Sequence, residues 1–167
     1  MEQKVLSILV DNTAGVLSRV SGLFSRRAFN IDSVSVGTTA DPKYSRMTVV
    51  CRGDEMILEQ ITNQLNKLID VRDIKILVPD NSVTRELILV KVLVSEGQRA
   101  GIRTLVDVFR AKIIDIAKDS MILELTGNIG KVNAFLEMLD ADGYEIAELA
   151  RTGMTGLSRG SDDVRFL

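Results

Sequence analysis

One order of apolar patterns, met twice along the chain, limits the fold more than any single motif does. Lys4–Val10 is an apolar strand, and Val16, Leu17, Val20, Leu23 and Phe24 then recur at helical spacing. Ile31–Val36 alternates apolar and polar residues, Asp41-Pro42-Lys43 has turn chemistry, and Tyr44–Arg52 resumes β-rich sequence, so a hairpin is expected. Asp54 stands in an N-cap position ahead of Ile57, Leu58, Ile61, Leu65 and Leu68, and Val71–Val78 supplies a further strand before Pro79. The order is β-α-β-β-α-β.

After the linker Asp80-Asn81-Ser82-Val83 the order returns. Glu86–Val94 is a strand, and Ile102, Leu105, Val106 and Phe109 mark a helical face. Lys112–Ala117 and Met121–Thr126 form a second hairpin. Ile129, Val132, Phe135, Leu136 and Leu139 mark a helix stopped at Asp142-Gly143, and Tyr144–Arg151 is the last strand. The repeat lies in pattern, not in residue identity. Each unit is expected to be α+β and ferredoxin-like, an antiparallel sheet with both helices on one face, so that two such βαββαβ units stand in tandem. The domains are expected at 1–79 and 84–167, the latter ending in a loose, glycine-containing tail from Thr152. Strands 31–36 and 44–52 carry Val34, Val36, Met47, Val49 and Val50, read as apolar on both sides, which calls for oligomerisation or packing of the units on each other.

Composition removes several function classes. The chain has no histidine among its 167 residues, which excludes Ser-His and Cys-His nucleophile pairs and any His-ligated metal site. Cys51 stands alone, so no intrachain disulfide forms and a cytoplasmic location is expected. No secretory signal and no run of 18 apolar residues is present, so no membrane span is expected. Up to Pro79 there are 10 basic against 9 acidic residues, and beyond it 11 against 14. Neither half carries the basic excess of a nucleic-acid binder, and aromatic residues are only 4%, too few for base stacking. No phosphate-binding glycine motif occurs.

The turn Asp11-Asn12-Thr13-Ala14-Gly15 lies between a strand end and a helix start. It presents unpaired helix amides and the positive end of the dipole, which suit a small carboxylate. Asn12 or Thr13 could supply the N-cap oxygen, and Gly15 permits close approach. Such a junction also needs a cap and often a glycine for purely structural reasons, so local physics leaves both readings open.

Taken in order, Asp11-Asn12-x-x-Gly15-Val-Leu-Ser-Arg-Val, Gly22-Leu-Phe-Ser-Arg-Arg, Phe29-Asn30-Ile31-Asp32-Ser33, Asp41-Pro42 and Ser45-Arg46-Met47-Thr48 resemble the small, regulatory subunit of acetohydroxyacid (acetolactate) synthase. Arg85–Lys91, Phe109-Arg110 and Gly156-Leu-Ser-Arg-Gly160 extend the resemblance over essentially the whole chain. It implies that the first unit is an ACT domain, that such domains pair side by side in a homodimer, and that a branched-chain amino acid, typically valine, sits where they meet. The positions carried over are Asn12, Gly15 and Val16 in the first turn, with Asn30 and Ile31 before the second strand. Without the resemblance, Asn30 reads as a helix C-cap or turn residue. The family pattern has Glu where this chain has Asp11.

The same resemblance implies a non-catalytic chain without a cofactor of its own, and a catalytic large subunit as partner holding thiamine diphosphate, Mg²⁺ and FAD. It implies activation of that partner together with feedback inhibition in branched-chain amino-acid biosynthesis. An ACT-type sensor for a different enzyme, or a small enzyme on a ferredoxin-like scaffold, are the competing expectations. The second unit shows no ligand turn, because Glu96-Gly97-Gln98-Arg99 lacks the Asn-x-x-Gly arrangement.

Overall fold

A computed structural model describes residues 2–161. The elements run β1 (Gln3–Asp11), α1 (Val16–Arg26), β2 (Ile31–Thr38), β3 (Tyr44–Arg52), α2 (Glu55–Leu65), β4 (Val71–Ile76), β5 (Ser82–Leu93), α3 (Arg99–Phe109), β6 (Lys112–Ile116), β7 (Ser120–Gly127), α4 (Ile129–Ala141), β8 (Glu145–Arg151) and β9 (Thr155–Ser158). The strands pair antiparallel in the orders β2-β3-β1-β4 and β6-β7-β5-β8. Both orders place a unit's first strand at the centre and its second and fourth strands at the edges, so the twofold pattern in the sequence is a twofold topology. The fold is α+β with two ferredoxin-like units, as the periodicities require.

In the first unit, Leu6, Ile8 and Val10 of β1 and Met47, Val49 and Cys51 of β3 point to one side. They pack with Val16, Val20, Leu23 and Phe24 of α1 and with Leu58, Ile61 and Leu65 of α2. Period two in the strands and period 3.6 in the helices meet there in one core. The second unit repeats this with Ile88, Val90 and Val92 against Ile102, Leu105 and Val106 on α3 and Val132, Phe135 and Leu139 on α4. Phe109 meets Phe135 edge to face, with ring centroids 5.2 Å apart.

Each helix is terminated by its own residues. The α1 helix ends with Ala28 in the left-handed region at φ 53°. The Phe29 amide donates to the Phe24 carbonyl, the Ala28 amide donates to the Ser25 carbonyl, and the two phenyl rings pack edge to face. This is a Schellman ending. Ala28 therefore holds the left-handed position that the local reading offered to Asn30. Gly143, at φ 78°, ends α4 in the same way, with the Tyr144 amide donating to the Leu139 carbonyl.

Two expectations change. Val34 and Val36 lie opposite Val49 and Met47, on the helix side of the sheet, while Ser33 and Ser35 lie opposite Val50 and Thr48 on the other. So β2 is apolar on one side only. Its valines remain 37% and 47% exposed because β2 is an edge strand. The tail is also more ordered than its glycines suggest. Met154 is buried, Thr155–Ser158 forms β9 and pairs with β5, the Lys75 ammonium donates to the Ser158 hydroxyl at 3.0 Å, and the Arg159 amide donates to the Asn81 carbonyl. The chain gathers into two compact units, one holding the residues up to Val83 and those from Met154 onward, the other Thr84–Gly153.

Candidate functional site

The turn after β1 is fixed by backbone bonds at its entry. The Asp11 amide donates to the Asp70 carbonyl and the Asn12 amide to the Lys43 carbonyl. The Asn12 side-chain amide donates to the Pro42 carbonyl at 2.9 Å, so this residue ties the turn to the β2–β3 hairpin. It does not cap α1, and neither does Thr13. The N-cap is Gly15, at φ 84° and ψ −5°, with no side-chain hydrogen bond to the helix.

Side chains close α2 and α4, whereas α3, like α1, has no side-chain cap on its own first turn. Asp54 accepts from the Ile57 amide at the start of α2, and Asn128 accepts from the Lys131 amide at the start of α4. Ahead of α3, Ser95 and Gln98 form a reciprocal capping box. At the start of α1 the Val16 amide donates to the Thr13 carbonyl at 3.5 Å, no side chain caps the helix, and no acidic residue lies in its first turn. That arrangement favours a bound anion.

Asp11, the acidic residue nearest the turn, is neutralised. Its carboxylate receives two hydrogen bonds of 2.7 Å from Arg72, and this guanidinium holds the carboxyl below its ordinary value. The Asp11 charge is therefore directed to β4 and not to the space above Gly15. Val16 is buried in the core and contributes packing under the turn.

Asn30 and Ile31 lie elsewhere. Ile31 pairs with Cys51, the Arg52 amide donates to the Asn30 carbonyl, and Cys51 in turn pairs with Lys4 near the start of β1. The Asn12 turn follows the other end of β1, where Asp11 pairs with Tyr44. The nine residues of β1 span roughly 27 Å at about 3.3 Å per residue, so one chain holds the two halves of the proposed constellation at opposite ends of its sheet. Beside Asn30, Asp32 accepts from Arg52 at 2.8 Å and from Gln3 at 3.1 Å, and these bonds keep its carboxyl low.

Reading the sequence missed Arg19 and Asp70. The Arg19 guanidinium donates through Nε to the Asp70 carboxylate at 2.5 Å, and it lies directly over Gly15. The available signal was spacing, since Arg19 follows Gly15 by four residues and so shares its helix face. Nothing local pointed to Asp70, 51 residues further on.

The model of the AHAS small subunit-like ACT domain matches residues 6–73, and that of the small subunit of acetolactate synthase matches 85–160. The chain belongs to the acetolactate synthase small-subunit family. It is 49% identical over 158 residues to the probable acetolactate synthase small subunit of Methanothermobacter thermautotrophicus, covering 94% of this chain and 93% of that one. It is 44% identical over 163 residues to the acetolactate synthase isozyme 3 small subunit of Escherichia coli K12, covering 98% and 99%. The crystal structure of the small subunit from Thermotoga maritima superposes with a TM-score of 0.87 at 38% identity, over 96% of this chain and 99% of that one. The ACT match of this small-subunit chain contains both the Asp11–Gly15 turn and the Asn30-Ile31 segment. Among the described residues no helix is long and apolar enough to cross a membrane.

Proposed function

We propose that this chain is a regulatory subunit that binds the catalytic large subunit of acetolactate synthase, raises its activity, and makes it sensitive to a branched-chain amino acid, with valine the first candidate. The condensation of 2-oxo acids is assigned to the large subunit and its thiamine diphosphate, Mg²⁺ and FAD. The observation that carries the ligand half of this reading is the uncapped start of α1 at Gly15, in a unit of the ACT family.

The separation of Asn12 and Asn30 supports a composite site in a homodimer. Edge strand β2 is free for pairing and carries half-exposed Val34 and Val36. If two β2 strands run antiparallel, Ile31 of one copy comes opposite Thr38 of the other. Thr38 lies at the turn end of the sheet, paired with Ser45 beside Tyr44. Asn30 and Ile31 of each copy would then approach the Gly15 turn of its partner. The turn amides suit a carboxylate, and an asparagine carbonyl suits an ammonium group.

Reconstitution tests the whole reading. The purified chain should form no acetolactate from pyruvate under any cofactor supply. Added to its large subunit it should raise the rate, and valine, leucine or isoleucine should lower that rate saturably. Turnover by the chain alone, or a rate indifferent to all three amino acids, contradicts the proposal.

A further inference from the structure

Strand β6 is an open edge of the second sheet, and its charges are arranged to meet their own reverse. Lys112 stands opposite Glu124 of β7 and Asp115 opposite Ile122, whereas Ile113 and Ile116 stand opposite the core residues Leu123 and Met121. Lys112 and Asp115 therefore share the side of the sheet away from the helices. Three residues apart, they would fall on opposite sides of a regular strand, and the bulge between Ile113 and Asp115 brings them to one side. Both are exposed, and among the described residues neither forms an ion pair. Ile114 and Ile116 on the same strand are 53% and 59% exposed. The other edge, β8, lacks this pattern. Its Glu145 and Glu148 are both acidic, Glu148 already accepts from Lys91, and Arg151 is held by Glu86.

We propose that β6 is a pairing edge for β6 of a second copy of this chain, the two strands running antiparallel with Lys112 of each opposite Asp115 of the other. In that register Ile113 of each copy faces Ile114 of the other, so isoleucines fill the centre between two cross-strand ion pairs. The contact uses the same residues from both copies and closes on itself. Unlike charges directly opposite support antiparallel pairing, and like charges oppose it. A slip of one residue either way sets Lys112 against Ile114 or Ile116 and loses both pairs, so the charges fix the register. An open edge is a template for association with any strand, and this pattern restricts it to a copy of itself. The contact belongs to the second unit and does not depend on pairing through β2.

Cysteine linking in the full-length chain reads the register. Residues directly opposite in an antiparallel pair have Cα atoms about 4.5–5.5 Å apart, within disulfide reach. Positions three residues out of register are roughly 10 Å apart and beyond it. Lys112→Cys combined with Asp115→Cys should therefore give a disulfide-linked dimer under mild oxidation, read on a non-reducing gel. Either single variant should give at most a tenth as much, and the wild type none, because Cys51 is buried. Hydrogen exchange reads the charges. Lys112→Asp and Asp115→Lys should each speed exchange of the outward amides of β6 at least tenfold, with β7 unchanged. Refolded together, the two variants set an acidic side chain at position 112 against a lysine at 115 in both pairs, and protection should return. If Lys112→Asp does not fold by circular dichroism, Asp115→Lys decides. A folded double-cysteine variant that stays unlinked overturns the proposal, as does equal linking in the single variants or β6 exchange that neither charge change moves. Protection of β6 that arises only when the catalytic subunit is added gives this edge to that partner, and overturns it as well.

Discussion

Asn12 and Asn30 stand at opposite ends of one sheet. The Asn12 side chain donates to Pro42 in the β2–β3 turn, while the Asn30 carbonyl accepts from Arg52 at the far end of β3. If both serve one ligand, they do so from different chains, and this has a consequence that mixing experiments can read. Gly15→Asp sets a carboxylate against the Arg19 guanidinium in a left-handed backbone position, and Asn30→His removes the other half of the site. Each variant alone should bind valine at least ten times more weakly, in line with roughly 1.5–3 kcal/mol for a charge-assisted hydrogen bond. A mixed dimer of the two variants contains one site built from two damaged halves and one from two intact halves. Unfolding and refolding the two together should therefore regain valine binding, at about one site per mixed dimer, whereas either variant refolded alone should not. Binding that mixing fails to regain places both halves of the site in one chain.

Much of this arrangement was legible in the sequence, and the exceptions have a common cause. Strand and helix faces follow from residues two or three to four apart, so the core from Leu6 to Leu65 could be read locally, as could the Asp54 cap and the Gly143 stop. The cap of α1 could not. Asn12 has the right chemistry for a cap, but its side chain is taken by Pro42, 30 residues away. The expectation that strand 31–36 is apolar on both sides fails because Val34 and Val36 share one side, and the bulge between Ile31 and Ser33, which shifts Ile31 in register against them, depends on pairing with β3. The Arg19–Asp70 contact and the return of β9 depend on long-range topology, to which periodicity is blind.

Glu86 and Arg151 form a bidentate pair at 2.9 and 2.7 Å, with the glutamate side chain only 4% exposed and the arginine 36% exposed. Removing the guanidinium leaves a buried carboxylate with its cation gone, which typically costs about 3–5 kcal/mol. Arg151→Ala should therefore lower the denaturation midpoint of the full chain well beyond the effect of a surface change such as Arg103→Ala. Replacing both partners, as in Glu86→Leu with Arg151→Met, should recover most of the loss, because no charge then stays buried. Urea denaturation of the four proteins checks this, and a double variant as unstable as Arg151→Ala contradicts it.

The Asp11–Arg72 pair is on the surface, so its effect is small and best read by titration. Its folded carboxyl lies below the ordinary value of 3.8, chiefly through the Arg72 hydrogen bonds. A depressed carboxyl adds stability above its unfolded value and loses that contribution as pH falls through the folded value. Arg72→Ala should raise the Asp11 carboxyl toward 3.8, and the stability gap between wild type and variant should narrow as pH drops below about 4. Carboxyl titration by nuclear magnetic resonance reads the first effect, and chemical denaturation at several pH values reads the second. An Asp11 carboxyl that does not move means that Arg72 does not hold it in solution.

The last prediction concerns the end of the chain, where the residues from Met154 onward group with the first unit. Met154 is 6% exposed, the Ser158 hydroxyl accepts from Lys75 on β4, and the Arg159 amide donates to the Asn81 carbonyl. Burial of one methionine contributes roughly 1.5–3 kcal/mol, and each neutral hydrogen bond about 0.5–1.5 kcal/mol net. Truncation after Gly153 removes these contacts together with the pairing of β9 on β5, while every element from α3 to β8 stays in the chain. The first unit should therefore lose stability throughout, and in the second the loss should be confined to β5, on which β9 pairs. Hydrogen exchange separates the two, because protection follows the opening free energy of each cooperative unit. Amides of β1 and β4 should exchange at least tenfold faster in the truncated chain, and those of β7 should hardly change. Equal acceleration in both units would mean that they unfold as one, and no change in β4 would mean that the Lys75–Ser158 and Arg159–Asn81 bonds contribute nothing to the first unit.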